Sequence, residues 1–379
     1  MVNEAFDGLL GKIPCYNTIE NWIKKCGLEV YQSAGESLKE TEYAQIIDES
    51  MMIGSEKLLL NLGVPAKHQG RPLNFNDIKF LSMGLADSWN GEKISAQIKV
   101  ASEKVGHDPL YIISDNASVM NRGIRLSGFP HQKDISHSLG MFLERTYKNE
   151  VDFKEYLKLM TGSKFKYNMK KIAYLLPPTQ RTVARFINLS EWVKWSSKML
   201  KIHDTLSDDE RTVFSYVPLN ASLINELSEV MKCVNSIEAI CKNDGFSKQT
   251  VSECKQIINK HLFNGNPRMI RLGKSICEFL IEQAELIKGD NIHNNSSDIL
   301  ESIFGKYKAR KSFNKLNGVT PFILFLPICA KLKSCSKKRK FDFKAALESK
   351  RMNHIEDWKK ENLTPNLAQL RTIKLKKSA

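Results

Sequence analysis

Ala44-Gln45-Ile46-Ile47-Asp48 and Leu110-Tyr111-Ile112-Ile113-Ser114-Asp115 decide the reading of this chain. Each is an apolar run of strand-forming residues that closes on an aspartate, so each reads as a buried strand with a carboxylate at its carboxyl end. Two such strands side by side in one sheet bring both side chains to a common crevice. Carboxylate oxygens are the donors that hard divalent cations prefer there.

Working outward, Tyr43 to Ile53 reads as a strand, Glu56 to Leu62 as a second and Ile78 to Trp89 as a third. Glu92 to Val105 then carries Ile94, Ile98 and Val105 on one side of a helix. The strand Leu110 to Ser114 follows, then a short helix near Val119 to Leu126, a brief strand near Pro130 to Asp134 and a helix from Ser138 to Tyr147. The expected class is α/β, a mixed sheet in the order βββαβαβα, which resembles the ribonuclease-H-like fold. From Val151 to Asn294 apolar residues such as Trp192, Leu223, Leu227, Val230 and Ile237 recur at helical spacing. That periodicity predicts a large, mainly helical insertion before the last helix of the sheet domain.

The expected division is therefore a small helical piece over residues 1–40, the first part of the sheet domain over 41–150, and the insertion over 151–294. The last helix and end of the sheet domain fall in 295–330, and a basic tail in 331–379. In the first piece, Ile19, Trp22 and Ile23 form the expected apolar stripe and Gly27 the expected stop, with Asn17, Glu20, Asn21, Lys24 and Lys25 outward. It has the character of a partial helix-turn-helix, although amphipathic helices of this kind mostly just pack.

The formal charge of the 379 residues is +15, and 42% of them are hydrophobic, which fits a globular protein with a polyanionic partner. From Lys331 onward fifteen Lys and Arg face five acids, so two thirds of the net charge lies in the tail, and its densest cluster, Lys337-Lys338-Arg339-Lys340, could grip phosphates, although a solvated basic tail is the common case. The longest apolar stretch, Val319 to Ala330, holds Pro321 and Pro327 and is too short for a bilayer, and no secretory signal is read at the N-terminus. The eight cysteines form no C-x-x-C pair, so they read as reduced thiols in a cytoplasmic protein rather than as a zinc site or disulfide framework.

A third carboxylate enters at Ser297-Asp298-Ile299-Leu300-Glu301-Ser302-Ile303-Phe304-Gly305-Lys306-Tyr307-Lys308. Ile299, Leu300, Ile303, Phe304 and Tyr307 make a buried helical face, and Glu301 lies off it in line with Asp298, Gly305 and Lys308. Asp298-x-x-Glu301 also has the spacing of a capping box, in which Glu301 would satisfy a backbone N–H. Asp298 is the fallback for Glu301, and Glu49, Asp87 and Glu92 are lesser candidates to approach a metal. Asp134-Ile135-Ser136-His137 adds a His that could orient a ligand or move a proton, against the plainer reading of satisfied groups at a helix start. Lys164-Phe165-Lys166-Tyr167-Asn168-Met169-Lys170-Lys171 interleaves cations with aromatics, a composition that holds nucleic acid by charge and stacking or that simply lies in a solvated loop.

Taken in order, these stretches resemble those of DDE-type transposases of insertion sequences. The resemblance spans roughly Tyr43 to Lys311 and rests on Ile46-Ile47-Asp48-Glu49-Ser50, Ile113-Ser114-Asp115-Asn116 and Asp134-Ile135-Ser136-His137. It continues through Leu176-Pro177-Pro178-Thr179-Gln180-Arg181 with Arg185-Phe186, and ends in Ser297 to Lys306. It implies a metal-binding triad of Asp48, Asp115 and Glu301, His137 as a further catalytic residue, and two Mg²⁺ or Mn²⁺ ions. It also implies metal-dependent cleavage and strand transfer on double-stranded DNA, both element ends and target, by a homodimer or larger assembly associated with the nucleoid. Lys164, Lys166, Lys170, Lys171, Arg181, Arg185 and Lys308 are the expected DNA contacts. The competing readings are a catalytically inactive, transposase-derived DNA-binding protein and a stand-alone metal-dependent nuclease.

Overall fold

The computed structural model describes residues 14–54, 56–179, 186, 189–310, 318–333, 341–365 and 367–377. In chain order the elements are α1 (Tyr16–Gln32), β1 (Tyr43–Ile53), β2 (Glu56–Pro65), β3 (Lys79–Ala86), α2 (Gly91–Val105), β4 (Ile112–Ser114), α3 (Ser118–Ser127), β5 (His131–Lys133) and α4 (Ile135–Tyr147). There follow α5 (Val151–Tyr167), α6 (Leu189–Ile202), α7 (Ala221–Asn243), α8 (Lys248–His261), α9 (Pro267–Ala284) and α10 (Asp298–Lys308). The chain closes with α11 (Phe325–Lys333), α12 (Phe343–Ser349), α13 (Met352–Asn362) and α14 (Leu367–Lys377).

Two compact units result. The first gathers Met1–Lys67, Leu73–Gln132 and Ser297–Ala379, the second His68–Pro72 and Lys133–Ser296. The first unit is α/β, built on a mixed sheet ordered β3-β2-β1-β4-β5. β1 pairs antiparallel with β2, β2 antiparallel with β3, and β1 parallel with β4. A parallel neighbour needs a long crossover, and α2 supplies it: Asn90 caps its first turn by accepting the Lys93 N–H, and Gly106 at φ 92° ends it in the left-handed region where glycine carries no steric penalty.

The sheet is buried on both faces, which explains the unbroken apolar runs of its central strands. Ile47, Leu59 and Ile112 pack with Ile94, Ile98, Met120 and Ile124 of α2 and α3. Ile46, Leu58, Leu60 and Ile113 pack on the other side with Ile299, Leu300, Ile303, Phe304 and Tyr307 of α10.

The second unit is mainly helical, with one apolar core running from Ile135 to Ile287. Arg268 at the start of α9 ties it together, donating to Glu226 at 2.6 Å and to Asp152 at 2.7 Å while its guanidinium lies 5.2 Å from the Tyr147 ring centroid. Those two carboxylates hold the Arg268 guanidinium in its charged form, first Glu226 and then Asp152, so the half-buried cation is fully partnered.

Three expectations change. Gly27 does not stop α1: a side chain there would collide with the Leu324 carbonyl oxygen, so the glycine permits close helix packing in the middle of the element. Ile19 and Trp22, the expected buried stripe, are exposed, and the helix instead buries Cys26, Leu28 and Val30, because its packing partners lie at its C-terminal half. The basic tail is also not simply solvated. Ala346, Ile355 and Trp358 are buried in the same core as Cys26 and Val30, Lys350 pairs with Glu29 at 3.1 Å, and Thr364 donates to Glu56 at 2.6 Å. The cluster Lys337–Lys340 lies outside the described residues.

At the end of α2, Lys104 is driven between α1 and β3. Its ammonium donates to the carbonyls of Tyr31, Phe80 and Leu81 and sits 3.7 Å from the Tyr31 ring centroid. Burial pushes its pKa down to about 8.

Among the described residues no helix is long and apolar enough to cross a membrane.

Candidate metal centre

The register of β1 against β4 positions the first two acids. Gln45 pairs with Ile112 and Ile46 with Ile113, an offset of 67 residues that Asp48 and Asp115 share. Strand neighbours lie about 4.8 Å apart. Side chains alternate along a strand, so Asp48 follows Ile46, and Asp115, one residue beyond β4, follows Ile113. Both carboxylates therefore belong to the sheet face on which α10 packs. Directly after Asp48, which pairs with Leu60, the β1–β2 register shifts before Met51, and such a bulge bends a strand where its pairing yields to other needs.

Asp115 is held from two sides. Its Oδ1 accepts the Ala117 N–H at 3.1 Å, and its carbonyl oxygen accepts the Ser114 hydroxyl at 3.0 Å. The fully buried Ser114 Oγ also lies 2.9 Å from His131 Nε2 on β5. Sequence reasoning missed His131, since nothing in the local pattern says which residue of the next strand meets Ser114. Asp48 and Asp115 are both half-buried, open enough to solvent to receive a ligand.

Glu301 stands on α10, whose apolar stripe faces the sheet. Asp298, Glu301, Gly305 and Lys308 form its exposed stripe, as their spacing predicts. The helix starts at Asp298, its N-cap is Ser297, and Ser297 makes no side-chain capping bond, so Asp298 is the first helical residue rather than the cap. Glu301 stands in the first turn, one position beyond the third helical residue, Leu300, that a box on the Ser297 cap would use.

All three acids belong to the sheet unit, but they do not form a ready three-ligand centre. Among the described residues no group of three His, Cys, Asp or Glu side chains lies close enough together to hold a metal ion. The donor chemistry and shared register of Asp48 and Asp115 fit a hard divalent cation, whereas Glu301 is not gathered with them.

The lesser candidates have other partners or places. Glu49 meets Lys57 at 3.6 Å, Glu92 pairs with Arg122, and Asp87 is exposed.

Asp134 and His137 lie in the helical unit. Asp134 is fully buried as the N-cap of α4, its Oδ1 accepting the His137 backbone N–H at 2.8 Å, which is the plainer of the two readings of that motif. Of the expected DNA contacts, Lys164 donates to the Pro177 carbonyl at 3.0 Å and to Thr179 Oγ1 at 2.6 Å. Lys166 and Lys170 lie 5.2 and 5.3 Å from the Tyr167 ring centroid, and Lys171 and Lys308 are exposed. Arg181 and Arg185 lie outside the described residues.

No protein-family model matches the chain, and comparison with curated proteins gives no match.

Proposed function

We propose that the chain is a DNA transposase of the DDE type, a polynucleotidyl transferase on a ribonuclease-H-like sheet. The observation that carries the proposal is the offset of 67 residues shared by the paired residues of β1 and β4 and by Asp48 and Asp115, on the face that α10 covers. The sheet order 3-2-1-4-5, with three successive antiparallel strands and β4 parallel to β1, supports the ribonuclease-H-like reading. The net charge of +15 supports a polyanionic substrate.

Asp48, Asp115 and Glu301 are the residues that would hold Mg²⁺ or Mn²⁺, which when bound supplies Lewis acidity at a phosphate and lowers the pKa of a ligated water or hydroxyl. The chain's own contribution is positioning. Ser114 and the Ala117 N–H fix the backbone and one carboxylate oxygen of Asp115, and the β1–β4 ladder fixes Asp48 beside it. Lysines bind phosphates by charge and make binding salt-dependent.

The second reading is a catalytically inactive, transposase-derived DNA-binding protein, and the observation favouring it is that Glu301 is not gathered with the two aspartates. One experiment separates the two. Strand cleavage and transfer on DNA from the flanks of the gene is measured with Mg²⁺ for the wild type, Asp48→Asn, Asp115→Asn and Glu301→Gln. Loss of an outer partner of a metal ligand costs about 10–100-fold, so loss of a ligand itself is expected to cost more than about 100-fold. Full activity in Asp48→Asn and Asp115→Asn overturns the transposase, and a wild type that binds DNA but never cleaves it establishes the inactive binder.

A further inference from the structure

We infer that the helical unit carries a stacking cleft for an unpaired base of single-stranded DNA, formed where the last turn of α5 faces residues 176–179. The cleft has a volume of 260 Å³ and is walled by Met160, Phe165, Asn168, Pro177 and Pro178. Lys164 builds it: by donating to the Pro177 carbonyl and Thr179 Oγ1, its ammonium pins the extended segment across from the helix. Pro178, half-buried, offers apolar surface with no N–H to satisfy, and Phe165 offers an aromatic face.

The apolar groups here are left in water. Phe165 is 85% exposed, Met169 93% and Tyr174 76%, in a chain whose helical unit has its other described aromatics buried or half-buried. Three large apolar side chains left in water within ten residues of chain, one of them lining a cleft, mark a surface that binds something. The Tyr174 hydroxyl donates to Glu210 at 2.7 Å, which leaves its ring in solvent.

Charge identifies the occupant. From Tyr156 to Ser190 the chain holds seven Lys and Arg and no Asp or Glu. Lys166, Lys170 and Lys171 are exposed and lie within three residues in sequence of the lining residues Phe165 and Asn168. An anion with a flat apolar face fits this combination, and a nucleotide in a single strand is such a group. A duplex is not, because it presents phosphates outward and keeps its base faces stacked inside. The inference deepens the DNA reading above by naming a strand state, and it is tested by binding alone, so its failure leaves the cleavage test of Asp48 and Asp115 untouched.

The experiment measures anisotropy of fluorescein-labelled dT20 and of a labelled 20-base-pair duplex with the full chain. Phe165→Ala is expected to weaken dT20 binding about tenfold and duplex binding less than about twofold, and Phe165→Tyr to retain dT20 binding. Because Phe165 is mostly in solvent, the alanine variant keeps its core intact. The triple change Lys166→Ala, Lys170→Ala and Lys171→Ala is expected to lower the salt slope for dT20 by about 0.7 for each phosphate that these lysines neutralise. Unchanged dT20 binding in Phe165→Ala, an equal loss on the duplex, or equal displacement of dT20 by poly-glutamate each overturns the inference.

Discussion

The two strand-borne acids and the helix-borne one are controlled by different parts of the fold. Asp48 and Asp115 are set side by side by the backbone ladder between β1 and β4, so their relation survives any change in how neighbouring side chains pack. Glu301 owes its place to the apolar stripe of α10, which fixes the helix on the sheet but leaves the exposed stripe pointing where the rotation of the helix puts it. A sheet specifies neighbours directly, whereas a helix specifies them only through what its other side buries.

The largest stability effect should therefore come from the side chain beside Glu301 rather than from Glu301. Leu300 is fully buried against the sheet face, and Leu300→Ala removes its methyl groups and leaves a cavity. The expected cost is about 2–5 kcal/mol by urea denaturation, with a fall in midpoint at an unchanged slope. A cost below about 1 kcal/mol would mean that α10 is not anchored through this stripe and would break the comparison at its root.

Lys104 sharpens the contrast between the units. In the helical unit, Arg268 meets Glu226 and Asp152, whereas in the sheet unit Lys104 is received by three carbonyls. Burial lowers its pKa to about 8 from an unfolded value of 10.5. Below pH 8 the lysine is charged in both states and the cost of burying the charge is present in full. Between pH 8 and 10.5 the folded chain releases the proton first, the unfolded chain binds more protons, and stability rises with pH. The gain is at most about 3 kcal/mol from a shift of this size. It is read as the difference in urea midpoint between wild type and Lys104→Met across that window, where the variant should lack the rise. A wild type and variant that run parallel from pH 8 to 10.5 would show that the ammonium is not buried as described.

The strands around Asp48 and Asp115 were legible because both faces of the sheet are covered, so their apolar runs are unbroken and the punctuation falls on the acids. α10 was legible for the opposite reason: one face is apolar and the other is not, and its exposed stripe follows from spacing alone. What sequence could not give was tertiary. Gly27 reads as a stop because local pattern cannot see Leu324, nearly three hundred residues away, approaching the helix. The spacing of Ile19 and Trp22 predicts a buried stripe, whereas the core lies along Cys26, Leu28 and Val30. The tail reads as solvated because its charge outweighs the few apolar residues, Ala346, Ile355 and Trp358, that dock it. Ser114 and His131 meet across β4 and β5, a pairing that periodicity within one strand does not encode.

The smallest expected effect closes the comparison. Glu301 is exposed in the first turn of α10, where a negative charge gains a little from the unsatisfied N–H groups of the helix start. Glu301→Gln keeps the shape and removes the charge, so its stability should change by less than about 0.5 kcal/mol. Set beside Leu300→Ala, one residue away, this makes Glu301 a place where charge can be altered at almost no structural cost. If Glu301→Gln nonetheless abolishes Mg²⁺-dependent cleavage while its urea midpoint stays put, the third carboxylate acts on the substrate or its ion and the gathered triad is a state the protein reaches with DNA. If it instead unfolds with Leu300→Ala-like severity, Glu301 belongs to the scaffold, and the contrast between ladder-held and helix-held acids is lost.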